Sequence, residues 1–288
     1  MNKNCAPSTQ KYGLYPDSPL TYFGGKKRLV NMILPKIPNH MIYCEPYFGG
    51  GAIFFAKSPS YLEVINDQNE MLMNFYTQIQ NNFNLLQKKI QATLYSESMY
   101  NEYLAVFAGQ KKATAIEKAV ATFVVFNQSR FATPVKGWVY DNGKGGSHKA
   151  VNFRHKVKNF GTWLQQRLQY VQISCRDALA VIMERDSPDT FFYLDPPYIG
   201  AYQGHYEGFS IENLMHLIEI LSQIKGKFIL SNYHFQNDID ICRTNNWIIE
   251  EVSVPRTINN GTKPHGRSEI IIRNFDEQPK PQQLLIFK

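Results

Sequence analysis

The chain has 288 residues, of which 43% are hydrophobic and 19% are charged, a composition typical of globular rather than disordered proteins. Its 31 lysine and arginine residues exceed the 24 acidic residues, and the net charge of +7 favours an anionic partner such as nucleic acid. The four cysteines are far apart and form no C-x-x-C pair, which argues against a zinc site and a disulfide framework. Because the sequence has neither an apolar run of about 18 residues nor the apolar region of a signal peptide, we expect a cytoplasmic protein without membrane contact.

The first part of the chain has the pattern of a βαβ unit. Residues 1–18 are polar and are predicted to form a mobile arm. A glycine turn at 48–51 separates the first predicted strand from the helix that follows it. The predicted elements are strands at 41–44 and 61–65 and helices at 52–56 and 70–80. This order predicts a parallel sheet with right-handed crossovers.

Residues 81–160 differ from the rest of the chain in composition and in hydrophobic pattern. Helices are predicted at 83–94 and 114–126. The part from 130 to 158 is rich in basic and aromatic residues, and Asp141 is its only acid. Because it contains the turn-rich run D-N-G-K-G-G, we interpret this part as a hairpin or long loop. We therefore expect an inserted lobe at 81–160 and a catalytic domain made of residues 1–80 and 161–288.

The α/β pattern resumes after the insert. Strands are predicted at 170–173, 190–194, 227–230, 247–254 and 269–273, and a helix at 214–224. The last two strands are expected to be antiparallel. The predicted fold class is therefore α/β, with a Rossmann-like, mostly parallel sheet, an antiparallel C-terminal strand and an inserted helical or hairpin lobe.

Two motifs follow the first two strands. The run E-P-Y-F-G-G-G at 45–51 places glycines where the backbone can approach a nucleotide-like ligand closely, although a tight structural turn is the alternative. It lacks the spacing of the pyrophosphate and phosphate-binding loops, which favours a cofactor without phosphates. Asp67, in the run N-D-Q-N, is a candidate acceptor for ribose hydroxyls, and its alternative is a helix N-cap.

The most specific motif is D-P-P-Y at residues 195–198, which ends a predicted apolar strand. The prolines stiffen the chain and lack backbone donors, whereas their carbonyls remain acceptors. Asp195 and the Pro196 carbonyl could accept both protons of an amino group while its planar ring stacks on Tyr198. This set predicts a site that makes an exocyclic amine nucleophilic toward a methyl donor. The alternative is a rigid turn with a surface tyrosine.

In this order the motifs resemble those of the Dam-type (D-P-P-Y, alpha-class) DNA adenine-N6 methyltransferases, a family that includes restriction–modification and phage enzymes. The resemblance extends over residues 19–272. The run P-L-T-Y-F-G-G-K at 19–26 is similar to the family's K-W-x-G-G-K element, and 45–51 is similar to E-P-F-x-G-x-G. The remaining matches are 66–69 to x-D-x-N, 195–198 to D-P-P-Y, 231–232 to S-N, and 256–258 with 267–270 to R-x-I … E-x-L.

The resemblance implies a class I methyltransferase fold, S-adenosyl-L-methionine as cofactor, no required metal and double-stranded DNA as substrate. It places Tyr22 and Lys26 at the methionine end of the cofactor, Asp67 at the ribose and Asp177 at the cofactor adenine. The expected cofactor-binding residues are Tyr22, Lys26, Glu45, Phe48, Gly49, Gly51, Asp67, Asp177 and Asp195. The expected catalytic residues are Asp195, Pro196 and Tyr198.

In this family the segment before the D-P-P-Y strand carries target recognition, which matches the basic composition of 81–160. Arginine pairs with guanine and asparagine with adenine, lysines contact phosphates, and aromatic rings wedge into the duplex. The predicted DNA-binding residues are Asn127, Arg130, Phe131, Lys136, Lys144 and Arg154. Since adenine N6 is paired inside a duplex, the target base must be flipped out.

Other interpretations stay open. Similar [DN]-P-P-[YF] sites occur in methyltransferases of RNA and of protein glutamine, and a silent DNA-binding regulator is a further possibility. A nicotinamide-dependent enzyme ranks last, because the glycine turn lacks the pyrophosphate spacing. A cognate restriction endonuclease is a candidate partner, and we expect a monomer or weak dimer.

Overall fold

The computed structural model describes residues 18–22, 26–130, 136–142, 148–199, 208–252 and 268–276. Its strands are β1 Ile42–Glu45, β2 Leu62–Asn66, β3 Gln172–Ser174, β4 Thr190–Leu194, β5 Lys227–Tyr233, β6 Ile248–Val252 and β7 Glu269–Arg273. Within the described ranges, these seven strands form one sheet in the order β3-β2-β1-β4-β5-β7-β6. The pairs of β1 with β2 and β4, of β2 with β3 and of β4 with β5 are parallel, whereas β7 is antiparallel to both its neighbours. The predicted α/β fold with an antiparallel C-terminal strand is thereby confirmed.

Helices cover both faces of the sheet and fill the insert. They are α1 Val30–Ile33, α2 Ala52–Ala56, α3 Glu70–Asn81, α4 Phe83–Gln91, α5 Glu97–Phe107, α6 Ala115–Gln128, α7 Lys149–Asn159, α8 Thr162–Leu168, α9 Ala178–Arg185, α10 Ile211–Leu221 and α11 Asp238–Thr244. Short 3₁₀ turns at Lys26–Arg28 and Leu34–Lys36 flank α1. No helix in the described ranges combines the length and the apolar character that crossing a membrane requires.

Strand β4 shows why this sheet has apolar runs instead of alternating strands. All five of its residues are buried. Phe191 and Tyr193 face one apolar cluster, and Phe192 and Leu194 face the other. A parallel strand that is covered on both faces is apolar throughout, which is why these runs were readable in the sequence.

The strand order creates a crevice at the carboxyl edge of the sheet. Strand β1 lies between β2 and β4, so the chain leaves the centre of the sheet in opposite directions on its two sides. In open α/β sheets, ligands bind at such a switch point. Glu45 is the last residue of β1 and Asp195 directly follows β4, so the fold brings both carboxyl groups to this edge.

The insert is more helical than the sequence suggested. The helices predicted at 83–94 and 114–126 correspond to α4 and α6. Residues 149–159, which we expected within a hairpin or long loop, form α7 instead. His148 caps this helix, and only Phe153 and Val157 are buried on it. A hairpin-like contact remains between Ser129 and Trp138.

Candidate active site

Asp195 is held by two donors at the crevice. The Lys26 ammonium nitrogen lies 2.9 Å from Asp195 Oδ1, and Ser231 Oγ donates to the same oxygen at 3.0 Å. Lys26 is only 7% exposed and the Asp195 side chain is 21% exposed, so this ion pair is partly shielded from water. Ser231 lies in β5, next to β4 in the sheet. The carboxylate is therefore fixed by two neighbouring elements.

Tyr198 presents its ring beside this carboxylate. Lys26 Nζ lies 4.2 Å from the centre of the Tyr198 ring. Tyr233 packs edge-on against that ring, with 4.6 Å between the ring centroids and 66° between the planes. Burial, and then the charge of Asp195, raise the pKa of Tyr198 well above its ordinary value. The phenol is therefore neutral at physiological pH, and what Tyr198 offers a ligand is the face of its aromatic ring.

The glycine turn after β1 is tied to β2 through Asp67. Gly49 N donates to Asp67 Oδ2 at 2.8 Å, and Asn69 N donates to Oδ1 at 3.0 Å. Gly49 and Gly51 have φ of 50° and 64°, which side chains rarely tolerate. At Gly50 an added Cβ would lie 2.7 Å from Tyr22 Cβ, so Tyr22 fits against the turn only because Gly50 has no side chain.

Asp67 does not cap the helix that follows it. The N-cap of α3 is Asn69, whose side chain accepts from Leu72 N at 3.0 Å. The alternative that we left open for Asp67 is therefore wrong. Because Asp67 is 1% exposed and its oxygens bind the glycine turn and Asn69, a contact with a ribose would use their remaining lone pairs.

Two further carboxyl groups lie near the crevice. Glu45 is 2% exposed, and its carboxyl group interacts with the hydroxyl of Tyr43. Burial raises the pKa of Glu45 well above its ordinary value. Asp177 caps α9 by accepting from Ala180 N and also accepts from Gln68 Nε2 at 3.3 Å. Gln68 follows Asp67, so Asp177 lies beside the turn after β2.

Phe48 packs against the glycine turn on the side of the apolar core. It is 3% exposed and packs edge-on against Tyr76, with ring centroids 4.8 Å apart. Its ring lies where a Cβ on Gly51 would be. Phe48 therefore supports the turn from the apolar core, and its predicted contact with a cofactor stays a prediction.

The predicted DNA-binding residues are dispersed. Arg130 and Lys136 are exposed at the two sides of the Ser129–Trp138 bridge, where Arg130 N donates to Gly137 O. Arg154 lies on α7 and donates to the Thr93 carbonyl at 3.3 Å. Asn127 lies near the end of α6, and its amide forms hydrogen bonds with Thr21, Pro19 and Phe123.

Some predicted positions lie outside the described residues. They are Phe131, Lys144, the three residues 23–25 of the N-terminal motif, and 256–258 and 267 of the C-terminal motif. Conversely, sequence reasoning did not single out Tyr233. Its signal was its place directly after the S-N pair at the end of β5, beside the D-P-P-Y strand.

Comparison with known proteins agrees with this geometry. Residues 22–255 match the family model of the D12 class N6 adenine-specific DNA methyltransferases. The chain is 28% identical to the type II methyltransferase M1.LlaDCHI of Lactococcus lactis subsp. cremoris over 276 residues, which cover 88% of this chain and 93% of that protein. It is 26% identical to the modification methylase StsI of Streptococcus sanguinis over 308 residues.

The coverage of the relatives differs. The match to StsI covers 96% of this chain but 45% of that methylase, so the chain spans less than half of its length. A DNA N-6-adenine-methyltransferase of Escherichia phage P1 is 25% identical over 255 residues, which cover 82% of this chain and 32% of that protein. Since the family model matches most of the chain, and its motifs meet at one edge of the sheet, the chain belongs to the D12 class N6 adenine-specific DNA methyltransferase family.

Proposed function

We propose that this family member transfers a methyl group from S-adenosyl-L-methionine to the N6 amine of a flipped-out adenine at a specific site in double-stranded DNA. The observation that carries the proposal is the convergence of Asp195, Lys26 and Tyr198. A carboxylate acceptor and an aromatic ring lie side by side there, as recognition of a planar ring with an amino group requires.

The residues at the crevice fit the proposed cofactor. Glu45 is a buried carboxyl group at the end of β1, and it is suited to the α-ammonium of a methionine because a neighbouring cation favours its ionised form. Lys26 is a cation suited to its carboxylate, and Asp67 is suited to the ribose. The positive φ of Gly49 and Gly51 bends the chain tightly at the end of β1, and Tyr22 and Phe48 occupy the space where their side chains would lie. When bound, S-adenosyl-L-methionine supplies an electrophilic methyl group on a sulfonium.

The protein groups hold and activate the amine. Asp195 and the Pro196 carbonyl accept hydrogen bonds from the two amine protons, which draws the nitrogen lone pair away from the ring. Tyr198 stacks on the base and fixes its plane. After transfer the nitrogen carries an extra proton, which Asp195 can accept. Because Lys26 and Ser231 fix this carboxylate beforehand, its role is mainly orientation and electrostatic stabilisation.

The insert is proposed to bind DNA. Arg130 and Lys136 are exposed beside the Ser129–Trp138 bridge and suit contacts to bases or phosphates. Because Arg154 donates to the Thr93 carbonyl, any phosphate contact would use its remaining donors. The roles predicted for Phe131 and Lys144 stay predictions.

A role in restriction–modification is proposed from the names of the relatives, two of which are called a modification methylase and a type II methyltransferase. On this proposal a cognate restriction endonuclease recognises the same DNA sequence, and the methyltransferase acts as a monomer or weak dimer.

The decisive experiment is expression of the chain in a host that lacks DNA methylation, followed by modification-sensitive sequencing of the host DNA. The expected result is N6-methyladenine at one recurring motif, absent from a culture that expresses Asp195→Ala. Unmodified adenines with a folded, expressed protein would contradict the proposal. A tritiated-methyl assay on duplex DNA, RNA and protein then separates the DNA reaction from the RNA and glutamine alternatives.

A further inference from the structure

The side-chain amide of Asn127 is saturated by hydrogen bonds within the chain. Its Oδ1 accepts from Thr21 N at 2.9 Å and from Thr21 Oγ1 at 3.0 Å. Its Nδ2 donates to Pro19 O at 3.1 Å and to Phe123 O at 3.0 Å. An asparagine amide offers two donors and one oxygen with two lone pairs, and all four are used here. The adenine contact that we predicted for Asn127 would require breaking some of these bonds.

The partners of Asn127 belong to the segment 18–22, which lies over the glycine turn. Tyr22 fills the space beside Gly49 and Gly50, so its side chain packs directly against the backbone of the glycine turn. Ser18 Oγ also donates to the Gly50 carbonyl. The position of this segment therefore determines the shape of the wall over the glycine turn.

The insert holds this segment at further points. The Tyr22 ring stacks on Phe126, the neighbour of Asn127 on α6, with 5.1 Å between centroids and 25° between planes. Lys156 on α7 donates to the Ser18 carbonyl. Helix α6 is itself rigidly placed, because nearly all of its residues from Ala119 onward are buried. Asn127 thus joins a fixed helix of the insert to the segment 18–22, which packs on the glycine turn.

We infer that Asn127 is a positioning residue for cofactor binding: by holding residues 19–21 it keeps Tyr22 packed on the glycine turn, whose Gly49 is bonded to Asp67. The inference rests on the proposed use of S-adenosyl-L-methionine. It assigns to Asn127 a task within the cofactor site in place of recognition of the DNA sequence.

The two roles make opposite predictions for the enzyme without DNA. A base reader leaves cofactor affinity unchanged when it is removed, and it alters the recognised sequence. A positioning residue weakens the cofactor and leaves the recognised sequence alone. Asn127→Ala removes four hydrogen bonds, each of which contributes modestly, so we expect the dissociation constant of S-adenosyl-L-methionine to rise on the order of tenfold or more.

The experiment is calorimetric titration of the full-length chain with S-adenosyl-L-methionine in the absence of DNA, with thermal melting to check folding. The matched control is Asn74→Ala, because Asn74 also donates from its amide to a carbonyl of α6, that of Ala115, at 2.9 Å, and its side-chain oxygen accepts from Gln78 on its own helix. We expect wild-type affinity for this control. Methylation-site sequencing of Asn127→Ala should return the wild-type motif with reduced occupancy.

Milder variants keep the test decisive if Asn127→Ala does not fold. Asn127→Asp retains the acceptors for Thr21 and loses the donors to Pro19 and Phe123, and Thr21→Val removes one bond from the exposed side. Both should give smaller increases of the dissociation constant. Wild-type affinity for S-adenosyl-L-methionine in every folded variant would overturn the inference about Asn127 but leave the proposed function standing. An altered recognition motif with unchanged cofactor affinity would do the same. Failure of the wild-type chain to bind the cofactor overturns the proposed function as well.

Discussion

The ammonium of Lys26 lies 2.9 Å from Asp195 Oδ1, so a residue near the start of the fold and one after its central strand form an ion pair. Ser231 donates to the same oxygen. We therefore expect the other oxygen, Oδ2, to receive the amine of the target base. The carboxylate is oriented before any ligand arrives, which lowers the cost of ordering it in the reaction.

Replacement of Asp195 by alanine should abolish most methyl transfer. Removal of one preorganised polar group from a reaction centre costs about 10²–10³ in kcat, and we expect a loss of at least that size. The measurement is single-turnover transfer of tritiated methyl to duplex DNA. The control is Asp189→Ala, since Asp189 is exposed just before β4, at the opposite end of the same strand. Near-normal turnover by Asp195→Ala would refute the mechanism.

Tyr198 is expected to act through its ring. Tyr198→Phe should keep most activity, because the aromatic face remains and only the buried hydroxyl, which interacts with Ser231, is lost. Tyr198→Ala should lower kcat/KM by about 5–150-fold, the equivalent of about 1–3 kcal/mol of base stacking. Steady-state kinetics on a duplex oligonucleotide measures both. Tyr61→Ala, at a 67% exposed tyrosine before β2, is the control. Equal losses in Tyr198→Phe and Tyr198→Ala would point to the hydroxyl instead.

Glu63 should be essential for stability, because it lies buried between two cations. It pairs with Lys57, and Arg167 Nη2 donates to its Oε1 at 2.9 Å. Burial lowers the pKa of Lys57 to about 8, although the charge of Glu63 opposes this. Glu63→Gln leaves both cations uncompensated, and we expect the free energy of unfolding to fall by about 3–5 kcal/mol.

Urea denaturation followed by circular dichroism checks this prediction. Glu102→Gln is the control, because Glu102 pairs with Lys111 on the surface and such pairs contribute little. An unchanged urea midpoint in Glu63→Gln would show that the buried pairs compensate for one another.

His40 should cause the free energy of unfolding to decrease as the pH becomes acidic. Burial, followed by the charge of Lys57, lowers the pKa of His40 to about 4. Its ring nitrogens lie 2.7 Å from the Pro38 carbonyl and 2.7 Å from Ser60 Oγ, which suits the neutral ring. The unfolded chain takes up this proton near its ordinary pKa of 6.5 and the folded chain only near 4, so stability falls as the pH drops between these values.

The loss attributable to His40 is at most about 3 kcal/mol. Thermal melts from pH 7 to pH 4 should show a shallower decline for His40→Gln than for the wild-type chain. The exposed His155 offers the control variant His155→Gln, which should keep the wild-type slope. Identical slopes in all three proteins would remove His40 from the acid sensitivity.

The sheet and the helices α4 and α6 of the insert were predictable, whereas α7 was not, and the reason is how much apolar surface each element buries. Central strands such as β4 are buried on both faces and read as apolar runs. Helix α7 buries only Phe153 and Val157 among basic and polar residues, so its helical period is faint in the sequence. Strand β3 lies at the sheet edge with its residues exposed or partly exposed, and it was predicted to begin two residues and to end one residue too early.

The site was predictable to the extent that its residues lie within short motifs. The D-P-P-Y run and the glycine turn signal their roles locally. The hydrogen bonds of Asn127 to Pro19 and Thr21 span 108 and 106 residues of sequence, so its isolated position beside basic residues suggested DNA contact instead. The pairing of Lys26 with Asp195 likewise depends on the folded chain.

The apolar core of the insert is continuous with that of the catalytic sheet. Phe123 on α6 stacks near Phe75 on α3 and packs edge-on against Phe160, with ring centroids 6.4 and 5.6 Å apart. All three rings belong to the same buried cluster as the strand residues Tyr43 and Phe191. Residues 81–160 therefore do not form an independent module that could be replaced as a unit. Engineering a new target sequence would have to graft only the exposed part beyond α6 and leave these rings in place.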